Sequence, residues 1–172
     1  MYYPLLRGRQ NELLAIQELM KCSVLSDKVV PIIEPVKLSP TLVNTIIEFN
    51  GNHRNLIFVG NPKVGSFRSD SKNTKNDQYR TKLQELITGD TCVQRGLYVD
   101  PQFSTILSKW INAGISTDSI LAICLQQDSI KQFKDADASD EVRVVLPYAP
   151  AFRRVGQKRI LIEDSFNKKP RN

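Results

Sequence analysis

Hydrophobic and polar positions along this chain fall into a repeated unit: a short apolar run closes on a polar residue, and proline usually follows. Val29-Val30-Pro31-Ile32-Ile33 closes on Glu34-Pro35, Leu56-Ile57-Phe58-Val59-Gly60 on Asn61-Pro62, and Leu97-Tyr98-Val99 on Asp100-Pro101. A looser version, Ile160-Leu161-Ile162, closes on Glu163-Asp164. Unbroken β-prone runs of this length suit strands buried on both faces, as in parallel sheets. Proline has no N–H and ends the ladder. Each run therefore delivers a polar group to one edge of a sheet, the edge where parallel α/β folds bind ligands.

Between the runs the apolar spacing changes from continuous to helical. Strands are expected at 3–6, 29–33, 56–59, 96–99, 120–125, 142–146 and 159–162. Helices are expected over 11–20, from Ser39-Pro40 to Gly51, over 104–113 and 129–133, and around Tyr79, Leu83, Leu86 and Ile87. Ser39-Pro40 reads as an N-cap followed by the first helical residue. The polar stretch 63–76 is too long for a routine strand-to-helix loop and reads as a basic insertion. Regular alternation of strand and helix implies right-handed crossovers and a parallel sheet. The expected fold is α/β: a parallel (β/α)8 TIM-barrel-like domain spanning 1–172, with about seven strands present. A full barrel needs about 250 residues, so the last β/α unit is expected to be missing at the C-terminus. An unclosed barrel would expose a strand edge and invite association.

Composition narrows the class of protein. With 41% hydrophobic residues the 172-residue chain can bury a sizeable core, yet no run approaches the length of a membrane span. The three cysteines are widely spaced and form no CxxC, so neither a disulfide framework nor a zinc cluster is expected; a reducing cytoplasm is. The formal net charge of +6 leans toward anionic partners, either nucleic acid or a phosphorylated ligand. The single histidine, His53, lies in the turn before the third strand, at the amino edge. That placement argues against Ser-His-Asp and Cys-His chemistry.

The opening Tyr3-Pro4-Leu5-Leu6-Arg7-Gly8-Arg9-Gln10-Asn11-Glu12, then Val30-Pro31-Ile32-Ile33-Glu34-Pro35-Val36, and late Arg159-Ile160-Leu161-Ile162-Glu163-Asp164-Ser165-Phe166 resemble the "beta protein" family of phages and bacteria. Its members often lie in mobile-element or phage-defence neighbourhoods. The resemblance implies a barrel-like fold and no established activity. It marks Arg7, Arg9, Gln10, Glu12, Glu34, Glu163 and Asp164 as family-like positions.

The candidate chemistry gathers at the carboxyl edge. Arg7, Arg9 and Gln10 follow the first strand, and Glu34 and Lys37 the second. Asn61, Asp100, Gln127, Tyr148, Glu163 and Asp164 follow later ones, and Tyr98 lies near the same edge. Glu34, Asp100, Glu163 and Asp164 are oxygen ligands of the kind that hold Mg²⁺ or Mn²⁺, and Arg7 and Arg9 could clamp a phosphate. In an enzyme, Glu34, Asp100 and Glu163 would act catalytically in metal-dependent phosphodiester or nucleic-acid processing. Strand-end acids also commonly cap a helix or pair with a neighbouring arginine. The alternative is therefore a non-catalytic module that binds nucleic acid or a partner protein through its basic loops. Arg68, within the 63–76 insertion, and Arg153 and Arg154, before the last strand, are candidate phosphate contacts in both readings. Gly60-Asn61-Pro62-Lys63-Val64-Gly65-Ser66 superficially resembles a phosphate loop, but it has serine where the Walker pattern needs lysine.

Overall fold

The computed structural model describes residues 1–89, 91–137 and 139–162. Seven strands alternate with helices, and every strand pairing described is parallel, which places the chain in the α/β class. Two compact units are present: Met1–Tyr98 with Ser119–Leu121, and Val99–Asp118 with Ala122–Asn172. Within each, strands lie side by side in chain order. Among the described residues no helix is long and apolar enough to cross a membrane.

The first unit contains β1 (Leu5–Leu6), α1 (Gln10–Lys21), β2 (Ile32–Ile33), α2 (Pro40–Gly51), β3 (Leu56–Val59), α3 (Phe67–Asp70), α4 (Asp77–Thr88) and β4 (Val93–Tyr98). Proline explains the brevity of the first two strands. Pro31 has no N–H to give, so the expected run 29–33 keeps only Ile32–Ile33 as strand, plus one bridge from Val29 to Tyr2. In α2, Ser39 is the N-cap, its hydroxyl accepting from the Leu42 N–H at 3.3 Å, with Pro40 in the first turn as expected.

The register assigns the two faces of this sheet. Leu6, Ile33, Phe58 and Arg95 form one cross-strand row, and Leu5, Ile32, Ile57 and Gln94 the next. Leu6, Ile33, Leu56, Phe58 and Val93 pack with Leu13 and Ile16 of α1, Leu42, Ile46 and Phe49 of α2, and Leu83 and Leu86 of α4. That face is therefore the helix-covered one, and each fully buried leucine, isoleucine or phenylalanine contributes about 1.5–3 kcal/mol to it. By alternation, Arg7, Glu34 and Tyr98 belong to the opposite face, at the carboxyl ends of their strands. The helices α1 and α2 are joined by one buried polar contact, Gln17 Nε2 donating to Thr45 Oγ1 at 2.6 Å.

The second unit contains α5 (Phe103–Asn112), α6 (Ser129–Lys134), β6 (Arg143–Pro147), β7 (Arg159–Ile162) and the end of β5 (Ile120–Ile123). Phe103 and Phe133 pack with ring centroids 6.0 Å apart, and Leu107 and the run Val144–Leu146 are likewise buried. Gly156 has φ +64°, and a Cβ there would stand 2.7 Å from Val144 Cγ1, so both conformation and space require glycine. Cys124 is buried, Cys22 exposed and Cys92 half-buried.

Candidate functional site

The first four strands bring four polar side chains to one place. Arg7 directly follows β1, Glu34 follows β2, Asn61 lies two residues beyond β3, and Tyr98 ends β4. Glu34 is at the centre, buried to 1% exposure. Its Oε1 accepts the Lys63 backbone N–H at 2.8 Å, and its Oε2 accepts the Tyr98 hydroxyl at 2.9 Å. Arg7 Nη1 lies 3.4 Å from the same Oε2, with the Arg7 side chain 52% exposed. The Lys63 ammonium stands over the Tyr98 ring, 4.8 Å from its centroid. One cation thus stands at the buried carboxylate and a second over the ring of the tyrosine bonded to it.

The backbone there is built to fit. Gly8 has φ +60°, and a Cβ on it would meet the Glu34 carbonyl oxygen at 3.0 Å. Glycine therefore lets the segment after β1 cross close to the segment after β2. Asn61 is 2% exposed and its amide makes two bonds to one residue: Nδ2 donates to the Tyr98 carbonyl at 2.9 Å, and Oδ1 accepts the Tyr98 N–H at 2.8 Å. Tyr98 itself holds its proton more tightly than an ordinary phenol. Burial is the main cause, and the Glu34 carboxylate, by hydrogen bond and by charge, adds to it against a smaller opposing effect of Arg7.

The 63–76 insertion is ordered against the segment after β2. The Val36 carbonyl accepts both the Ser66 N–H at 2.7 Å and the Phe67 N–H at 3.1 Å. Asp70 Oδ2 accepts the Leu38 N–H at 3.1 Å and the Ser66 hydroxyl at 2.9 Å. Phe67 is buried edge-on to Phe58, with centroids 5.8 Å apart. The stretch expected to be only a polar insertion holds α3 and a further 3₁₀ turn, Thr74–Asn76.

The remaining sequence candidates are distributed as follows. Arg9 is the exposed N-cap of α1, its backbone N–H donating to Glu12 Oε2 at 2.9 Å, and Gln10 is the exposed first residue of that helix. Lys37 is exposed between β2 and α2, and Arg68 is exposed on α3. These groups lie on the segments that follow β1, β2 and β3. Asp100, Arg153 and Arg154 belong to the second unit. Asp100 Oδ1 accepts the Gln102 N–H at 2.9 Å, just before α5, and Arg153 and Arg154 are exposed after the Pro150–Phe152 turn. Glu163 and Asp164 lie outside the described residues. His53 is exposed in the turn before β3 with φ +53°, as expected of a turn residue.

This geometry bears directly on the chemistry of Glu34. Each of its oxygens accepts a short hydrogen bond from protein, and Oε2 also faces Arg7, so most of its acceptor capacity is engaged within the protein. Among the described residues no three or more His, Cys, Asp and Glu side chains are grouped to hold a metal ion. The groups that do face outward are cationic. Lys63 and Tyr98 are partners of Glu34 that the apolar pattern could not pair with it. The Lys63 donor is a backbone N–H, whereas Tyr98 was detectable by strand alternation once β4 was extended back to Val93. Comparison with family models, with curated proteins and with solved structures returned no match.

Proposed function

We propose that the carboxyl edge of the first unit recognises phosphate groups, and that the chain is a non-catalytic nucleic-acid-binding module built on an open (β/α)8 barrel-type sheet. The observation that carries the reading is that two exposed cations gather at this edge beside a single buried carboxylate: Arg7 on Glu34 Oε2, and the Lys63 ammonium over the ring of Tyr98, whose hydroxyl bonds the same oxygen. One positive charge is left over, on groups held in fixed positions. A guanidinium that commits one nitrogen to Glu34 keeps further N–H donors for a phosphate oxygen. Arg9, Lys37 and Arg68 extend the positive surface along the following segments. The overall charge of +6 and the resemblance to the "beta protein" family, with its mobile-element and defence neighbourhoods, are in keeping with this reading.

Fluorescence anisotropy with labelled single-stranded DNA, duplex DNA and RNA, over a series of salt concentrations, tests it. Binding should weaken log-linearly with salt. The double variant Arg7→Ala/Lys63→Ala should flatten the slope by about 1.4–1.8, which is two phosphate contacts. The recovered probe should be intact. Absence of binding at low salt to all three probes, or an unchanged slope in a double variant that keeps its circular dichroism spectrum, would sink the proposal. Cleavage of the probe that depends on Mg²⁺ or Mn²⁺ and is lost in Glu34→Gln would instead restore the metal-dependent enzyme.

A further inference from the structure

We infer that the outer edge of β7 is a docking site for an extended acidic segment of a partner protein, which adds to the sheet as a strand. Within the second unit β7 pairs with β6 in the register Val144↔Arg159 to Pro147↔Ile162. The Val144 N–H donates to the Lys158 carbonyl at 2.9 Å and the Tyr148 N–H to the Ile162 carbonyl at 3.0 Å. In a parallel ladder a residue's N–H and C=O point to the same neighbour, so 158, 160 and 162 face β6 while Arg159 and Leu161 face away from it. Their backbone groups form a template of alternating donors and acceptors, and no described residue covers it.

The side chains around this template specify what fits. Leu161 is 52% exposed and Tyr148 67% exposed, and they lie side by side rather than singly. Together with Pro147, Pro150 and Phe152 they line a shallow cavity of about 80 Å³ whose polar wall is Arg153 and Arg159. Arg159 Nη1 donates to the Arg153 carbonyl, which fixes its guanidinium at the rim. Lys158 is engaged by Asp118 at 2.8 Å, but among the described residues Arg153, Arg154 and Arg159 pair with no carboxylate. An apolar pocket whose arginine rim meets no carboxylate among the described residues, beside a strand edge that no described residue covers, suits a strand that alternates acidic and bulky apolar residues. Its main chain would bond Arg159 and Leu161, its apolar side chain would enter the pocket, and its carboxylates would meet the arginines.

The test uses the full chain and a fluorescein-labelled peptide alternating glutamate and leucine, with lysine–leucine and glutamate–serine peptides as comparisons. The acidic apolar peptide should bind saturably and the other two at least about tenfold more weakly. Leu161→Pro removes one outward N–H and leaves the β6 ladder untouched, so it should weaken binding by about tenfold or more without lowering the melting temperature appreciably. Should that variant unfold, Arg153→Glu retains the carbonyl that Arg159 uses and should produce a comparable loss. No saturable binding of the acidic peptide, or equal affinity in both variants, overturns the inference. So does a concentration-dependent dimer in sedimentation velocity that Leu161→Pro abolishes and the peptide does not displace, which would assign the edge to a second copy.

Discussion

Replacing Glu34 by glutamine isolates the central contact, because the side chain keeps its shape and loses only one acceptor and its charge. In the native protein one oxygen serves the Lys63 N–H and the other serves the Tyr98 hydroxyl and Arg7. An amide offers one oxygen and one NH₂, so one of those donor sets must face another donor. A hydrogen bond to a carboxylate is worth about 1.5–3 kcal/mol. Arg7 is half-exposed and its ion pair, screened by water, adds at most about 1 kcal/mol. Their sum puts the loss at about 1.5–4 kcal/mol. In a chain of this length that corresponds to a melting temperature lower by about 3–16 °C. Urea denaturation is the assay, with the midpoint falling and the m-value constant. A cycle with Tyr98→Phe should show a coupling of about 0.5–3 kcal/mol, since both changes remove the same bond. A loss under about 0.5 kcal/mol, the range of ordinary surface substitutions, would refute the claim that the carboxylate organises these segments.

The raised Tyr98 pKa gives a pH prediction. Unfolded tyrosine ionises near pH 10, so the stabilisation is complete below that value and is lost progressively as pH rises from there through the higher folded pKa. Ultraviolet titration of the native protein should show a phenol that stays protonated beyond the others, and Tyr98→Phe should remove that late step. At Gly65, φ is +79° and an added Cβ would fall 2.0 Å from the Val36 carbonyl oxygen, so Gly65→Ala must expel the insertion from its seat. Amide exchange at Ser66, Phe67 and Leu38 should accelerate together in that variant; protection equal to native would refute the docking of the two segments.

Much of this was legible in the chain. The limits of β3 and β7 coincide with the expected strands, and Ser39-Pro40 marks the start of α2. The differences have specific causes. β4 begins at Val93, three residues before the expected strand, because Gln94 and Arg95 interrupt the apolar signal within a strand. Arg95 is 8% exposed, its Nη1 donating to Ser119 Oγ at 3.5 Å, and burial lowers its pKa. The order within 63–76 depends on Phe67 and on Asp70 acting as an acceptor for the preceding segment. Both residues are visible in the sequence, but Asp70 serves Leu38, 32 positions away, and Phe67 packs edge-on to Phe58 across the turn after β3. Glu34 and Arg7 were identifiable from their places after apolar runs. That Glu34 would be enclosed by donors was not, because one of those donors belongs to the main chain.

The two bonds of Asn61 give the Asn61-Pro62 pair its meaning. The Gly60 N–H donates to the Gly96 carbonyl, and the next donor of this ladder would be the N–H of residue 62, which proline lacks. The Asn61 side chain takes over as a surrogate peptide group, giving Tyr98 the donor and the acceptor that a continuing strand would have given. The main chain is thereby released to turn toward Lys63 while the sheet stays sealed to its rim. The substitution is chemically narrow: aspartate at 61 would supply no donor to the Tyr98 carbonyl, and leucine would supply neither partner, although both are close to asparagine in size.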